Sequence, residues 1–484
     1  MPLYSGVALL AFVVRLLPVL IGGGLHSYGR YDDGVYYAAA DALTFGRVPY
    51  RDFVLLHPPG LPLILTPFAA LGRVTSDGTG MAVGRLFFMG VGAVNAVLVV
   101  ALARRWNMRT ALVAGVLYAC WYPAVYSEQA TILEPLGTTA VLVALLLLLK
   151  RRQPPTVVTE LVAGAVLGLS ASLKIWYVAT WGFFVLWQLV ERRPVAALRL
   201  AAAGVTALSV VVLPFAILAR GRMFNMVVMD QLVRPPAAQE GITRLTSIFE
   251  VRELGAGTGA FAVATTLIVI AVLVAAATVC LRDRSGRPLV ALLAVTLLVL
   301  LLSPPYFRHY AALSAAPTVL VFAVGVGTVK RAPPLSPAAW SAFAALIAIV
   351  LASGVRIATI PEERPFTGST LAAAAPPGCV MSDDPTALIE MNRLSSDLRE
   401  GCRLPVDVTG ITYDSLHRTG PDGEELPREQ NTVWHQYLYS YLVSGRSFVV
   451  ARPKADALPL RFREQLWRHP VLAISGRVRL REGQ

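Results

Sequence analysis

Two adjacent aspartates, Asp32 and Asp33, follow the first apolar stretch of this 484-residue chain, in the polar run Gly29-Arg-Tyr-Asp-Asp-Gly-Val-Tyr-Tyr37. Carboxylates at a membrane boundary are costly, so a pair there marks a functional site. Their chemistry is proton abstraction or metal binding. A plainer reading competes: Asp is a good N-cap for the helix that follows, which explains one of the two but not both. Further polar groups fall at the ends of apolar stretches. Glu128 and Glu134 bracket Ser127-Glu-Gln-Ala-Thr-Ile-Leu-Glu-Pro135, Lys174 sits in Ser172-Leu-Lys-Ile-Trp176, and Arg308, His309 and Tyr310 close Pro304-Pro-Tyr-Phe-Arg-His-Tyr310. A single cation in such a place is usually an anchor for its span. Acids and cations facing one cavity suit a reaction with an anionic leaving group. Asp33, Glu128 and Glu134 are the metal candidates, for a hard ion such as Mg²⁺ or Mn²⁺, and no His/Cys spacing fits zinc.

The elements that must position these groups are membrane helices. Hydrophobic residues make up 55% of the chain and charged ones 15%, and the mean hydropathy is +0.60. The apolar residues fall in runs of membrane-spanning length. Hydropathy places eleven spans near 4–24, 84–103, 110–125, 130–149, 157–173, 176–190, 198–219, 258–281, 288–303, 310–328 and 338–357. The first is too long and too weakly flanked for a cleaved signal peptide. The apolar segment Leu61–Leu71 is short and carries Pro62 and Pro67, so it reads as juxtamembrane or re-entrant.

Charge decides the orientation. The loops with Arg104-Arg105 and Arg109, Lys150-Arg151-Arg152, Arg192-Arg193, Arg282/Arg284/Arg287 and Lys330-Arg331 are short and basic. Eleven spans with a cytoplasmic N-terminus put all five inside, as the positive-inside rule requires. The loops 25–83 and 220–257 and the tail from about 358 then lie outside, on the side of the acids and cations above. The same arginines account for the net charge of +13, and nothing interleaves bases with aromatics, so nucleic acid is not an expected partner. The tail differs in composition and holds Cys379 and Cys402, expected to form a disulfide in an exported domain. Strand-like runs at Cys379–Ser382, Ser447–Ala451 and Val471–Ile474, with helical patterns at Pro385–Leu394 and Val433–Ser444, predict a small α/β domain over 358–484. The core over 1–357 is predicted all-helical. An amphipathic surface helix is expected at Tyr36–Phe45. No internal repeat supports an inverted-repeat transporter.

These residues resemble the GT-C fold of integral membrane glycosyltransferases that use lipid-phosphosugar donors. The likeness lies in Tyr31-Asp-Asp-Gly-Val-Tyr-Tyr37, His57-Pro-Pro-Gly60, Arg85-Leu86, Leu133-Glu-Pro135, Leu173-Lys174 and Arg308-His-Tyr310, over roughly residues 1–330. It is nearest to actinobacterial enzymes that use polyprenyl-phosphate mannose or arabinofuranose. It implies inverting transfer to a cell-envelope glycan or glycolipid at the outer face of a bacterial plasma membrane. Asp32 or Asp33 would be the base, with the first acid favoured. Lys174, Arg308, His309 and Tyr310 would hold the donor phosphate, and Glu128, Glu134 and His57 would support. The reaction would need no cofactor or a divalent cation. Mannose is the favoured sugar and arabinofuranose the alternative. A lipid transporter or flippase would want charges through the membrane interior, where Arg15 is the main exception, read as a snorkelling side chain. A non-catalytic scaffold would work through the tail, which shows no catalytic arrangement.

Overall fold

The computed structural model describes residues 2–28, 30–149, 155–232, 234, 241–249, 259–327, 367–416, 418–420, 426–452, 457–476 and 478–484, together with 341 and 348. The expected span 338–357 apart from 341 and 348, the 357/358 domain boundary, Gly29, and the basic groups Lys150–Arg152 and Lys330-Arg331 fall outside these residues.

The chain opens with ten helices: α1 (Pro2–Ile21), α2 (Tyr31–Thr44), α3 (Gly60–Val74), α4 (Asp77–Ala103), α5 (Met108–Cys120), α6 (Tyr122–Glu128), α7 (Glu134–Leu148), α8 (Val157–Ala171), α9 (Tyr177–Val190) and α10 (Pro194–Leu218). Three more apolar helices follow at Gly259–Leu281, Arg287–Leu302 and Ala312–Gly327. Local signals start several of them. The Ser76 hydroxyl caps α4 by accepting from the Thr79 amide, and the Asn107 side chain caps α5 by accepting from Thr110.

The protein is an integral membrane protein. Among the described residues five helices are long and apolar enough to cross a membrane: Pro2–Ile21, Asp77–Ala103, Pro194–Leu218, Ala262–Leu281 and Arg308–Gly327. The expected span 110–125 is broken instead, with α5 and α6 meeting at 55° beside Trp121 and Pro123. Helices α7, α8, α9 and Arg287–Leu302 sit at the expected spans 130–149, 157–173, 176–190 and 288–303 but run only 14 to 16 residues. That is short of the roughly 20 residues of a full span, so a count of eleven does not follow from them. Close helix contact uses small residues. Gly164 and Gly168 of α8 lie against α10, and a Cβ at Gly168 would stand 2.1 Å from the Gly204 carbonyl oxygen.

The C-terminal part carries a four-stranded sheet of β1 (Val380–Ser382), β2 (Ser447–Val449), β3 (Val471–Ser475) and β4 (Val478–Glu482). Its order is β1-β2-β4-β3, with β1 and β2 parallel and the other pairs antiparallel. Strand β4 escaped the sequence reading because Val-Arg-Leu-Arg-Glu looks polar; β2 and β3 pair with it on either side. The helical pattern Pro385–Leu394 splits into Pro385–Glu390 and Leu394–Arg399, with Asn392 at φ +53° between them. Asn tolerates that left-handed turn. Cys379 and Cys402 are joined in a disulfide, their Cα atoms 5.8 Å apart.

This domain docks on α2, the loop before α3 and the start of α4. Val54 bridges to Val406, the Asp77 amide donates to Asn392 Oδ1 at 2.9 Å, and Arg47 Nη2 donates to the Leu404 carbonyl at 3.0 Å. One apolar core is continuous from α2 and α3 through β1 and β2. The basic pair Arg104-Arg105 lies at the far end of α4, whose 27 residues span about 40 Å.

Candidate active site

A cavity of about 260 Å³ lies where the first turn of α2, the loop before α3, the entrance to the Arg308–Gly327 helix and the C-terminal domain meet. Helix α2 starts at Tyr31, five residues earlier than the sequence pattern implied, so both aspartates sit inside its first turn. Acids are favourable there because the helix N-terminus is the positive end of the dipole. Successive helix positions point about 100° apart, and the two carboxylates go to different places.

Asp33 turns inward. It is 1% exposed. Arg85 Nε donates to its Oδ2 at 2.8 Å, the Thr131 amide donates to Oδ1 at 2.8 Å, and the Thr131 hydroxyl donates to the same oxygen. Arg85 is itself held by the Leu25 and Ser27 carbonyls. Asp33 is thus placed as a buried ion-pair partner and does not line the cavity. Asp32 does line it, with 39% of its side chain exposed.

His309 Nε2 stands 3.8 Å from Asp32 Oδ2 and 3.8 Å from Glu134 Oε1. Behind it Lys174 Nζ donates to Glu134 Oε1 at 2.7 Å and lies over the Trp176 and Tyr310 rings at 3.9 and 3.7 Å. Tyr310, Arg308 and His57 also line the cavity. Arg308 donates to the Tyr122 hydroxyl at 3.1 Å. Burial, and then the nearby Lys174 and Arg234 cations, hold the His57 imidazole well below its ordinary pKa, so it is neutral at pH 7.

Glu128 is a correction. It does not line the cavity. Its carboxylate pairs with Arg15, which is fully buried and does not snorkel. Asn95 Nδ2 and the Tyr118 hydroxyl both donate to its Oε1 at 2.8 Å. A buried pair with every lone pair matched is a structural joint between α1, α4, α5 and α6. The other two metal candidates each face a resident cation, Arg85 for Asp33 and Lys174 for Glu134. This donor set fits a divalent ion poorly. Among the described residues the one close cluster of acid and thiol groups is Asp397, Glu400 and Cys402, and the Cys402 sulfur belongs to the disulfide.

Sequence reasoning missed much of the cavity wall. Arg234 is 8% exposed, stacks over the Tyr413 ring at 4.4 Å, and its Nε has no hydrogen-bond partner among the described residues. A buried N–H without an acceptor calls for one. Its signal was only its place in the 220–257 loop. The C-terminal domain adds Asp407, Thr409, Tyr413, Arg428 and Arg452. The Tyr31 hydroxyl donates to Asp407 Oδ1 at 2.8 Å and accepts from the Thr409 amide at 2.9 Å. Nothing in the linear order joins positions 31 and 407.

A family model for glycosyltransferase family 87 matches residues 55–304, just over half of the chain. The chain belongs to that family. Family 87 membership makes it a membrane glycosyltransferase. Solved structures agree on the fold. ArnT from Cupriavidus metallidurans, bound to undecaprenyl phosphate, is 16% identical with a TM-score of 0.59, over 99% of this chain and 97% of that one. Its apo state gives 15% and 0.60 over the same shares. The archaeal oligosaccharyltransferase AglB from Archaeoglobus fulgidus, in complex with an inhibitory peptide and a dolichol-phosphate, is 14% identical with a TM-score of 0.50, over 81% of this chain and 59% of that one. The fold of this family 87 chain is therefore GT-C. A search of curated protein sequences returns no significant match.

Proposed function

We propose that this family 87 enzyme transfers a sugar, with mannose favoured over arabinofuranose, from a polyprenyl-phosphate donor to a cell-envelope glycan or glycolipid. The observation that carries the reading is the pairing of one exposed carboxylate, Asp32, with a wall of guanidiniums in a single cavity. In this reading Asp32 takes the proton of the acceptor hydroxyl as that oxygen attacks the anomeric carbon. The bond from that carbon to the phosphate oxygen breaks, its electrons stay on the phosphate, and the anomeric centre inverts. Arg234 and Arg308, with Lys174 behind, supply the positive field that meets the leaving phosphate, and the His309 ring offers an N–H donor beside them. Asp33 fixes the turn that aims Asp32. No step is routed through a metal.

The cavity belongs to the extracytoplasmic side of a bacterial plasma membrane in this proposal. The support is that Arg104 and Arg105 lie at the end of α4 away from the C-terminal domain.

The test is transfer by purified protein in lipid nanodiscs, with labelled polyprenyl-phosphate mannose or polyprenyl-phosphate arabinose and a membrane glycolipid extract, with and without EDTA. Transfer from one donor that Asp32→Asn abolishes is the expected result. Full activity in Asp32→Asn would remove Asp32 from the mechanism. Loss with EDTA would bring a metal into it.

A further inference from the structure

One turn at the cavity wall holds a backbone conformation that its side chain resists. Val406 has φ +69°, the left-handed region in which a β-branched residue is an outlier. It is buried, and its backbone bridges to Val54 in the loop before α3. Strain of this kind persists only where the surrounding structure over-determines it, and it gathers at ligand-holding sites. The next residue in the chain is Asp407, which lines the cavity.

Asp407 is 9% exposed. Among the described residues both hydrogen bonds to its carboxylate reach the same oxygen. The Tyr31 hydroxyl and the Gly410 amide each donate to Oδ1 at 2.8 Å. Oδ2 accepts from no donor among the described residues. Gly410 lets the carboxylate lie this close, since a Cβ there would stand 2.3 Å from Oδ2. A plainer role is capping the short helical turn Thr409–Thr412. Capping uses Oδ1 and leaves Oδ2 over. A carboxylate oxygen largely withdrawn from water calls for a donor, and a sugar hydroxyl supplies one.

The place of Asp407 says which sugar. A few residues further along the same segment Tyr413 carries Arg234 over its ring at 4.4 Å, and Arg234 is the cation given above to the donor phosphate. On its other side Asp407 is bonded to Tyr31, which precedes Asp32 in the first turn of α2. The carboxylate is thus tied to the phosphate cation at one end and to the proposed base at the other, and the donor sugar must lie between those two groups.

We infer that Asp407 selects the donor sugar, its Oδ2 accepting a hydrogen bond from a sugar hydroxyl while the strained turn at Val406 holds it in place. This rests on the transferase reading of the cavity and adds to it a residue that reads the sugar and not the phosphate.

The experiment titrates the full chain in lipid nanodiscs with polyprenyl-phosphate mannose, polyprenyl-phosphate arabinofuranose and bare undecaprenyl phosphate. The first variant is Asp407→Asn. Asn keeps an oxygen for the Tyr31 and Gly410 donors and caps as well as Asp, so a purely structural role survives the change. Its amide nitrogen puts a donor where Oδ2 was, and that donor cannot accept from the sugar. Asp407→Asn is expected to weaken at least one sugar-bearing lipid about tenfold or more and not to weaken undecaprenyl phosphate. Val406→Gly releases the turn without touching the carboxylate. It is expected to weaken the same sugar lipid by a smaller factor, again sparing undecaprenyl phosphate. Thermal melts check that both variants are folded, and either one alone carries the test. Unchanged affinity for both sugar lipids, or an equal loss on bare undecaprenyl phosphate, would overturn the inference. Transfer from the labelled donors by the unaltered chain decides the transferase reading separately.

Discussion

Arg85 grips Asp33 across 52 residues of sequence, Nε at 2.8 Å and Nη2 at 2.7 Å from one carboxylate oxygen, while the neighbouring Asp32 opens into the cavity. One pair of identical side chains is thereby divided into two tasks. Asp32→Asn is expected to cut kcat by at least about 10²-fold with little change in melting temperature. Asp33→Asn removes the carboxylate that Arg85 hydrogen-bonds, leaving Glu390 at 3.9 Å as the remaining acid, and is expected to destabilise by up to roughly 3–5 kcal/mol. Transfer assays set beside thermal melts separate the two. Equal melting temperatures for both variants would contradict the division.

Arg15 and Glu128 form the same kind of joint deeper in the bundle. Glu128→Gln or Arg15→Met alone should cost roughly 3–5 kcal/mol, because each strands a buried charge. The double variant should recover most of that loss. Gly92 is part of the joint, since a Cβ there would stand 2.3 Å from Arg15 Nε. Gly92→Ala is expected to lower the melting temperature without touching the cavity. A double variant no more stable than either single would argue against a simple ion-pair joint.

Arg234 should matter to donor affinity. Arg234→Ala is expected to weaken undecaprenyl phosphate binding by about tenfold or more, and Arg234→Lys by less, since lysine keeps the charge but not the planar fork. Titration in nanodiscs measures both. An unchanged affinity would place the lipid phosphate elsewhere.

Domain docking should respond to pH. The Ser395 hydroxyl faces Asp41 Oδ2 at 2.8 Å and also Asp77 Oδ1, and its one hydrogen cannot serve both. Burial, and then the Asp77 charge, push the Asp41 carboxyl up from 3.8 to about 6. A carboxyl with a raised folded-state pKa holds its proton more tightly in the folded form. Its stabilisation is full below about pH 4 and is lost as pH rises towards 6, by up to about 3 kcal/mol. Hydrogen exchange at the α2–domain contact should therefore quicken from pH 4 to pH 6 after correction for the intrinsic rate, and Asp41→Asn should flatten that trend. A contact that tightens over the same range would contradict the sign.

How much of this could be read from the chain follows from the range of each interaction. The apolar helices were legible, though not their count as full spans, because hydrophobicity is a local average, and the first-turn acids because an ionisable pair beside an apolar run stands out. The bend at Trp121 and the short α7 were not, since a break of a few residues hardly alters such an average. Arg85 was noticed only as part of a motif, and its partner Asp33 could not be deduced from spacing. Glu128 looked equivalent to Glu134. Which of the two faces His309 depends on the turn between α6 and α7, set by contacts to helices far away in sequence. Arg234 sits in a loop with no periodicity to assign it a direction.

The bond between Tyr31 and Asp407 bears on how such enzymes can be recombined. The residue before Asp32, the proposed base, is fastened to the C-terminal domain, and Asp41 and Asp77 are fastened to it through Ser395. The C-terminal part is not a detachable module. A chimera that exchanges it for a relative's domain inherits a mismatched socket unless Tyr31, Asp41 and Asp77 travel with it, so the segment Tyr31–Asp77 and the last hundred residues form one unit of exchange separated by the whole membrane bundle.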